Sequence, residues 1–294
     1  MSAPANAKLY GLIGHPVSHS LSPYIMNRAF RQNGIEAVYA TFDVGDGGVV
    51  GAVAGMRALG FGGANVTYPY KEAVLQLPDS LPAEVELIGA LNTLRFTDSG
   101  IEGANTDAPG TAAALETFAG ATLDGADVLI FGAGGAGRAA AFGLLERSAA
   151  RLTFAVRNES KGKDVVERFR RHFPDQEVGL VAMKPGETTA VLGKAIESAG
   201  IVINATPVGM AGGGAGELLA EDSPLDKNTV CFEFVYDPLE TSFLELARRR
   251  GARTLDGLTL LVAQAERAMH VWTGKGFSLP KMYEAVTLHV RDTR

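Results

Sequence analysis

The chain has 294 residues, more than one hydrophobic core usually supports, so two domains are expected. With 27 basic against 33 acidic residues, the net charge is −6, which argues against a nucleic-acid partner because such partners need a basic face. The single cysteine, Cys231, excludes an intrachain disulfide, and no apolar run is long enough to span a membrane. The first residues also lack a secretion-signal pattern, so we expect a cytoplasmic protein without a membrane partner. We separately expect a monomer or a homodimer.

Short apolar runs alternate with helical patterns through the first third of the chain. The pattern predicts strands and extended chain at 8–14, 37–44, 63–67 and 91–96, and helices at 22–33, 49–59 and 70–77. Ser22 is suited to a helix cap and Pro23 to the first helical position. The alternation predicts a sheet covered by helices.

The middle third repeats this alternation, and the end of the chain is helical. Strands are predicted at 127–131, 152–157 and 201–205, and helices at 136–147, 161–172, 258–272 and 280–289. The last two helices have no strand partner, so we expect them to pack back on the first domain. A glycine-rich loop at 212–216 follows the strand at 201–205; it either borders a ligand site or is a plain solvent loop. The predicted fold is α/β, with a Rossmann-type doubly wound domain at 108–254 and an α/β domain formed by 1–107 and 255–294.

A glycine fingerprint of the type G-x-G-x-x-G lies between a predicted strand and a predicted helix. Its residues are Gly132, Ala133, Gly134, Gly135, Ala136 and Gly137. The first glycine permits a tight turn, the second lets the backbone approach a pyrophosphate, and the third lets the helix pack close to the strand. The context favours a dinucleotide site over a purely structural turn.

The end of the second strand of this domain indicates which dinucleotide binds. An acidic residue there would accept a hydrogen bond from the ribose 2′-hydroxyl of NAD, but this chain has Arg157 and Asn158 before Glu159. A guanidinium binds a 2′-phosphate through paired donors, so NADP is favoured over NAD. The alternative is an arginine solvated at a strand end.

Three polar clusters, at 18–23, 65–71 and 105–107, interrupt the apolar pattern of the first domain. Serine hydroxyls near a helix start can bind a carboxylate, although Ser22 alone is equally well explained as a helix cap. Lys71 is predicted in the first turn of a helix, where its charge opposes the helix dipole. Asp107 follows a strand end, where a plain helix cap is the alternative to a catalytic role.

Several segments together resemble the motifs of the shikimate dehydrogenase family, in the same order and over nearly the whole chain. They are Ser20-Leu21-Ser22-Pro23, Asn65-Val66-Thr67 with Lys71, Gly89-Ala90-Leu91-Asn92-Thr93, Asn105-Thr106-Asp107, Asn204-Ala205-Thr206-Pro207, Val235-Tyr236-Asp237-Pro238 and Leu261-Val262-Ala263-Gln264-Ala265. The resemblance implies NADP-dependent, reversible reduction of 3-dehydroshikimate to shikimate. It also implies that the first domain binds this small-molecule substrate.

The resemblance further implies a role for each matched residue. Lys71 and Asp107 would be the catalytic pair, with Ser20 and Ser22 on the substrate carboxylate. The ring hydroxyls would contact Thr67, Asn92, Asp107 and Gln264, and Tyr236 would lie beside the substrate. Cofactor contacts would come from Gly132, Ala133, Gly134, Gly135 and Ala136 at the pyrophosphate, from Arg157 and Asn158 at the 2′-phosphate, and from Thr206, Val208 and Gly257 along the nucleotide and nicotinamide.

The chain departs from the family pattern at a few positions that border these motifs. It has Val156-Arg157-Asn158 where Asn-Arg-Thr is common, Ala104 where an acid is usual, Tyr68-Pro69-Tyr70 before Lys71, and Glu233 where Asp is usual. Quinate or an aminated analogue is therefore kept as an alternative substrate, although two serines in the carboxylate cluster fit the shikimate-preferring pattern.

Two other classes of protein are weighed against this assignment. A folate-type methylene dehydrogenase has a Tyr-x-x-x-Lys spacing that the segment 68–71 does not reproduce. A non-catalytic sensor domain would not need both Lys71 and Asp107. The five histidines show no metal-binding spacing, so no metal is expected.

Overall fold

The computed structural model describes residues 6–184, 186–211 and 216–293. The chain forms two compact units, one of Met1–Gly110 with Val262–Arg294 and the other of Thr111–Leu261. Most of the predicted glycine-rich loop, residues 212–215, lies outside the described residues. Among the helices described, none has the length and apolarity needed to cross a membrane.

The first unit is built on a five-stranded sheet. Its elements are β1 (Lys8–Gly14), α1 (Ser22–Gln32), β2 (Ala37–Asp43), α2 (Val49–Ala58), β3 (Gly63–Val66), α3 (Ala83–Ile88), β4 (Thr93–Thr97) and β5 (Gly100–Ala104). The strand order is β2-β1-β3-β4-β5; the first three strands are parallel, and β4 runs antiparallel to both neighbours. The carboxyl ends of β1 and β3 therefore lie side by side, with Ile13 paired to Val66.

The second unit is built on a six-stranded, wholly parallel sheet. The chain enters it through α4 (Asp107–Ala119) and continues through β6 (Asp127–Phe131), α5 (Gly135–Leu145), β7 (Arg151–Val156), α6 (Glu159–His172), β8 (Glu177–Ala182), α7 (Ala190–Ser198), β9 (Ile201–Asn204), β10 (Val230–Glu233), α8 (Ser242–Arg249) and β11 (Arg253–Leu255). The order β11-β10-β9-β6-β7-β8 is that of the doubly wound dinucleotide-binding fold, which confirms the predicted fold class. Every residue of β9 and β10 is buried, as expected for central strands of a parallel sheet.

The last two helices are α9 (Gly257–Thr273) and α10 (Leu279–Thr293). From Val262 onwards they belong to the first unit, as predicted. Trp272 of α9 packs against Tyr10 with ring centroids 4.8 Å apart and donates its indole N–H to the carbonyl of Leu94 at 2.9 Å. On α10, His289 stacks on Tyr24 at 3.9 Å. Both C-terminal helices therefore pack against elements of the first unit.

The predicted helix at 70–77 is wrong, because turns occupy these residues. In a helix the carbonyl of Lys71 would accept the N–H of Leu75. Here it accepts the N–H of Leu91 at 2.9 Å, and the Leu75 N–H bonds to the carbonyl of Glu72 at 3.3 Å. Pro78 then lacks the N–H needed to extend a helix. This backbone contact fixes Lys71 beside the segment that leads into β4.

Gly63 and Gly51 differ in the space that an added methyl group would meet. A Cβ on Gly63 would overlap the indole of Trp272 and the carbonyl of Leu94, whereas a Cβ on Gly51 in α2 would meet nothing within 4 Å. We expect Gly63→Ala to lower the free energy of unfolding by about 1–3 kcal/mol, as overpacking does. Gly51→Ala should raise it by about 0.5–1 kcal/mol, because alanine favours a helix interior. Urea unfolding of both variants measures the free energy of unfolding. If both substitutions changed it by the same amount in the same direction, the packing described here would be contradicted.

Candidate active site

Lys71 and Asp107 are in direct contact at the end of the first unit's sheet. The Lys71 Nζ donates to Asp107 Oδ2 at 2.5 Å, and the side chains are 23% and 7% exposed. Lys71 follows β3 and Asp107 is the first residue of α4, so two loops bring together residues 36 positions apart. An ammonium group that is still partly accessible, held by a nearly buried carboxylate, can deliver a proton to a bound ligand.

Asn92 fixes the orientation of Asp107. Its amide nitrogen donates to Asp107 Oδ1 at 2.9 Å, while its amide oxygen accepts the N–H of Thr106 at 2.8 Å and the hydroxyl of Thr93 at 3.1 Å. Both carboxylate oxygens of Asp107 thus have a partner, one charged and one neutral. Because Asn92 is itself buried and bonded at both ends, the carboxylate has little freedom to rotate.

A second buried amide, Asn65, supports this arrangement, and its role was not predicted. Asn65 accepts the hydroxyl of Tyr39 at 2.8 Å and donates to the Asn92 carbonyl at 3.2 Å and the Thr93 hydroxyl at 3.0 Å. Burial raises the pKa of Tyr39 well above its ordinary value, so this hydroxyl remains a donor. The polar Asn65 within an otherwise apolar strand was the sequence signal for such a bond.

The helix cap suggested for Asp107 is provided by Asn105. The amide oxygen of Asn105 accepts the N–H groups of Asp107 at 3.0 Å and Ala108 at 3.2 Å, which is the bonding pattern of a capping residue. The carboxylate of Asp107 instead bonds to Lys71 and Asn92. This division of roles aims the carboxylate at the lysine rather than along the helix axis.

The other predicted substrate residues of the first unit occupy separate positions around its sheet. Helix α1 begins at Ser22 itself and Leu21 is the capping position, so the cap predicted for Ser22 is wrong. The Ser20 hydroxyl accepts the Ser22 N–H at 3.2 Å. The methyl group of Thr67 lies directly against Gly14, which links the carboxyl ends of β1 and β3. Gln264 of α9 packs on Gly110, where an added Cβ would lie 3.0 Å from the Gln264 nitrogen.

The glycine turn of the second unit has the geometry that its motif predicts. Gly132 has φ +95°, a conformation that glycine readily adopts, and a Cβ on Gly137 would overlap the Gly132 carbonyl. A Cβ on Gly134, the residue before α5, would meet nothing within 4 Å. The space in front of Gly134 and the N-terminus of α5 therefore fits an anionic group, such as a pyrophosphate, held by backbone N–H groups.

The end of β7 presents Arg157 and Asn158 at the surface, and both residues are exposed. The amide oxygen of Asn158 accepts the N–H of Lys161 at 3.1 Å and caps α6. That bond uses the acceptor end of Asn158, whereas a phosphate would need its donor end. Capping and phosphate binding by Asn158 are therefore chemically compatible.

A buried polar network, which the sequence analysis did not predict, joins the ends of β9 and β10. Glu233 is fully buried and accepts the amide of Asn204 at 2.9 Å and the hydroxyl of Thr241 at 2.8 Å. Asn204 in turn accepts the Thr206 hydroxyl at 2.7 Å and donates to the Val208 carbonyl at 3.0 Å. Thr206 and Val208, which are predicted cofactor residues, are thus connected through Asn204 to the buried carboxylate of Glu233.

The remaining predicted residues also lie in the second unit. Tyr236 belongs to the segment after β10, and Gly257 opens α9, where a Cβ would overlap the carbonyl of Val235. Gly257 therefore lets the backbone of α9 approach the segment that carries Tyr236. Within the described residues, no group of three or more His, Cys, Asp or Glu side chains is arranged to hold a metal ion.

A parallel, doubly wound sheet with a glycine turn is typical of the dinucleotide-binding domains that oxidoreductases use. The family model for the shikimate dehydrogenase substrate binding domain matches residues 12–94. The shikimate dehydrogenase (NADP(+)) of Methanopyrus kandleri is 38% identical over 99% of this chain and 99% of its own.

Solved structures agree with this similarity. The shikimate 5-dehydrogenase of Listeria monocytogenes, in complex with shikimate and NAD, superposes with a TM-score of 0.87 at 32% identity, covering 97% of this chain and 98% of that one. The quinate dehydrogenase of Corynebacterium glutamicum, in complex with NAD, has a TM-score of 0.82 at 30% identity, with 96% and 98% covered. The chain belongs to the shikimate dehydrogenase family.

The stability of the fold should depend on the protonation of Glu233. Burial raises the pKa of this carboxyl from its ordinary 4.5 to about 7, against the opposing effect of its hydrogen bonds. The folded state therefore binds the proton more tightly than the unfolded state, so this contribution to stability is full below pH 4.5 and is lost as pH rises through 7. The loss is on the order of 3 kcal/mol.

Glu233→Gln removes this titration, and urea unfolding at pH 5, 6, 7 and 8 measures it. We expect the stability of the wild type relative to Glu233→Gln to fall as the pH rises. Glu245→Gln, on the exposed face of α8, is the matched control and should show no such trend. If the difference in the free energy of unfolding between wild type and Glu233→Gln did not change with pH, Glu233 would have the same pKa in the folded and unfolded states.

Proposed function

We propose that this protein is an NADP-dependent shikimate dehydrogenase that reversibly reduces 3-dehydroshikimate to shikimate. The contact between Lys71 Nζ and Asp107 Oδ2 carries the proposal, because it places a proton donor and its anchoring carboxylate on the unit that matches the substrate-binding family model. Relatives named as NADP-dependent shikimate dehydrogenases over nearly the full length support the reaction. Substrate binding is assigned to the first unit and NADP binding to the second.

In the proposed reaction, NADP supplies the hydride chemistry when bound, and the chain's own residues handle the proton and the geometry. During ketone reduction, Lys71 donates a proton to the oxygen that becomes the ring hydroxyl. Asp107, held by Asn92, keeps Lys71 in place and balances its charge. In the reverse direction Lys71 accepts that proton, so it must first be neutral.

The proposal assigns the substrate contacts to the residues named from the sequence. Ser20 and Ser22 bind the carboxylate, and ring hydroxyls contact Thr67, Asn92, Asp107 and Gln264, with Tyr236 beside the substrate. On the cofactor side, the turn at 132–136 holds the pyrophosphate, and Thr206, Val208 and Gly257 line the nucleotide and nicotinamide. Cys231 is a buried free thiol whose pKa is raised to about 12 by burial, which fits a reducing compartment such as the cytoplasm.

Two substitutions of Lys71 should distinguish its role in proton transfer from the effect of its positive charge. Lys71→Ala should lower kcat by at least ~10², the low end for loss of a positioned acid or base. Lys71→Arg keeps a cation beside Asp107 but does not release its proton, so its kcat should fall similarly. Turnover is followed by NADPH absorbance, with Lys281→Ala on the exposed face of α10 as the control. Near-normal kcat in folded Lys71→Ala would refute the assignment.

Parallel assays with NADP⁺ or NAD⁺ and with shikimate or quinate test cofactor and substrate together. We expect the highest kcat/KM for shikimate with NADP⁺. Arg157→Ala should raise the KM for NADP⁺ by about ten- to a hundredfold, the range for losing hydrogen bonds to a charged group, while the KM for NAD⁺ changes less than about twofold. Exposed Arg171→Ala on α6 is the control. Equal turnover of quinate, or an unchanged KM for NADP⁺ in Arg157→Ala, would contradict the respective part of the proposal.

A further inference from the structure

Glu233 receives an unusual number of hydrogen bonds for a buried side chain. The N–H of Val235 donates to its Oε1 at 2.9 Å and the hydroxyl of Thr241 to its Oε2 at 2.8 Å. The amide nitrogen of Asn204 lies 2.9 Å from each carboxylate oxygen. All three partners are donors, so the site is shaped for an acceptor with two oxygens. A glutamine of the same size would place an amide N–H₂ against one of these donors.

Asn204 transmits the position of this carboxylate to the segment that follows β9. While its nitrogen faces Glu233 and the Val208 carbonyl, its oxygen accepts both the N–H of Thr206 at 2.9 Å and the Thr206 hydroxyl at 2.7 Å. The Thr206 hydroxyl then accepts the N–H of Val208 at 3.2 Å. These hydrogen bonds connect Thr206 and Val208 to Asn204, and through it to Glu233.

This segment lies where a ligand of a doubly wound sheet is expected. The strand order reverses between β6 and β9, and ligands of such sheets bind beyond the carboxyl ends of the strands at that point. A Cβ on Gly132, at the end of β6, would lie 2.9 Å from the Thr206 methyl group, so the two segments touch. The glycine turn and residues 206–208 thus border the same end of the sheet.

The carboxylate has a cost in stability that a neutral residue would not have. Burial disfavours the ionised form of Glu233 and raises its pKa to about 7. A side chain needed only to fill space here would fit better as an apolar group. Retaining the carboxylate makes sense if it fixes the position of Asn204, the donor that connects to residues 206–208.

We propose that Glu233 is a positioning residue of the cofactor site, which acts through Asn204 to hold residues 206–208 against the glycine turn. The inference rests on the proposed function, since it assigns this end of the sheet to NADP. Glu233 itself is fully buried, so we assign it no direct contact with cofactor or substrate. Its loss displaces the segment by small amounts, and misplacement of about 1 Å can reduce a rate by about 10².

The variants Glu233→Asp and Glu233→Gln separate positioning from packing. Asp keeps two oxygens but is shorter, whereas Gln keeps the length but replaces one oxygen with a donor. We expect Glu233→Gln to weaken NADPH binding and lower kcat, each by about tenfold or more, and Glu233→Asp to retain more of both. The affinity for shikimate, which binds the first unit, should change less than about twofold. If Gln matched or exceeded Asp, or if Gln left both quantities at the wild-type level, the proposal would be overturned.

Thr241→Val is the matched control, because it removes one donor to the same carboxylate but leaves the contact with Asn204. Thr241 also accepts the N–H of Leu244 at the start of α8, so this variant should lose stability. We expect its kcat and NADPH affinity to stay within about twofold of the wild type. A tenfold loss in folded Thr241→Val would show that general loosening, rather than the Asn204 link, produces the effect.

Nucleotide affinity is measured by the fluorescence of NADPH bound to the full-length protein without substrate. This measurement does not depend on turnover of shikimate, so the two proposals fail separately. A wild type that binds NADPH but oxidises no shikimate would contradict the proposed reaction and still leave the order of the variants informative. If Glu233→Gln does not fold, as judged by circular dichroism, Glu233→Asp and Thr241→Val decide: equal loss of NADPH affinity in both would overturn the proposal.

Discussion

The site of the first unit depends on how Asp107 is stabilised. A carboxylate with so little solvent contact is costly unless its oxygens are bonded, and here one oxygen takes the ammonium of Lys71 and the other the amide of Asn92. Asn92 is held in turn by Thr106 and by the neighbouring Asn65. The partly accessible ammonium group of Lys71 thus lies at the end of a chain of buried polar contacts that starts inside the sheet.

The second unit uses the same physical solution at a different place. Glu233 is also a buried carboxylate at the end of a strand, and an asparagine again connects it to a loop. In both units these polar side chains lie at or near the ends of the strands, where the backbone leaves the sheet and its own donors need partners. Each carboxylate therefore accepts hydrogen bonds from donors on separate segments and holds those segments together.

The sequence allowed most of the long elements to be predicted, because their apolar residues recur with a clear period. Several elements were not predicted, among them α3 with six residues and β11 with three, which are too short to show a period. The sequence analysis also missed β5, β8, α7 and α8. The error at 70–77 has a tertiary cause, since the Lys71 carbonyl bonds to Leu91, which is distant in the sequence. Local patterns contain no information about such a contact.

The candidate site was predictable to a similar degree. Lys71 and Asp107 stood out as charged residues at strand ends within motifs, and the structure places them in contact. The capping role of Asn105 and the support from Asn65 were not predicted, because they depend on which strand ends are neighbours in space. Glu233 was noted only as a departure from a pattern, and its significance follows from burial, which composition does not reveal.

The burial of the single cysteine, Cys231, has a practical consequence for labelling this protein. The chain's only thiol lies in the core of the second unit, within β10 and inaccessible to solvent. A maleimide dye therefore has no native target in the folded state, and the natural sequence already serves as an unreactive background. One surface cysteine introduced by mutagenesis would carry a single fluorophore at a known position, without first removing any residue from the core.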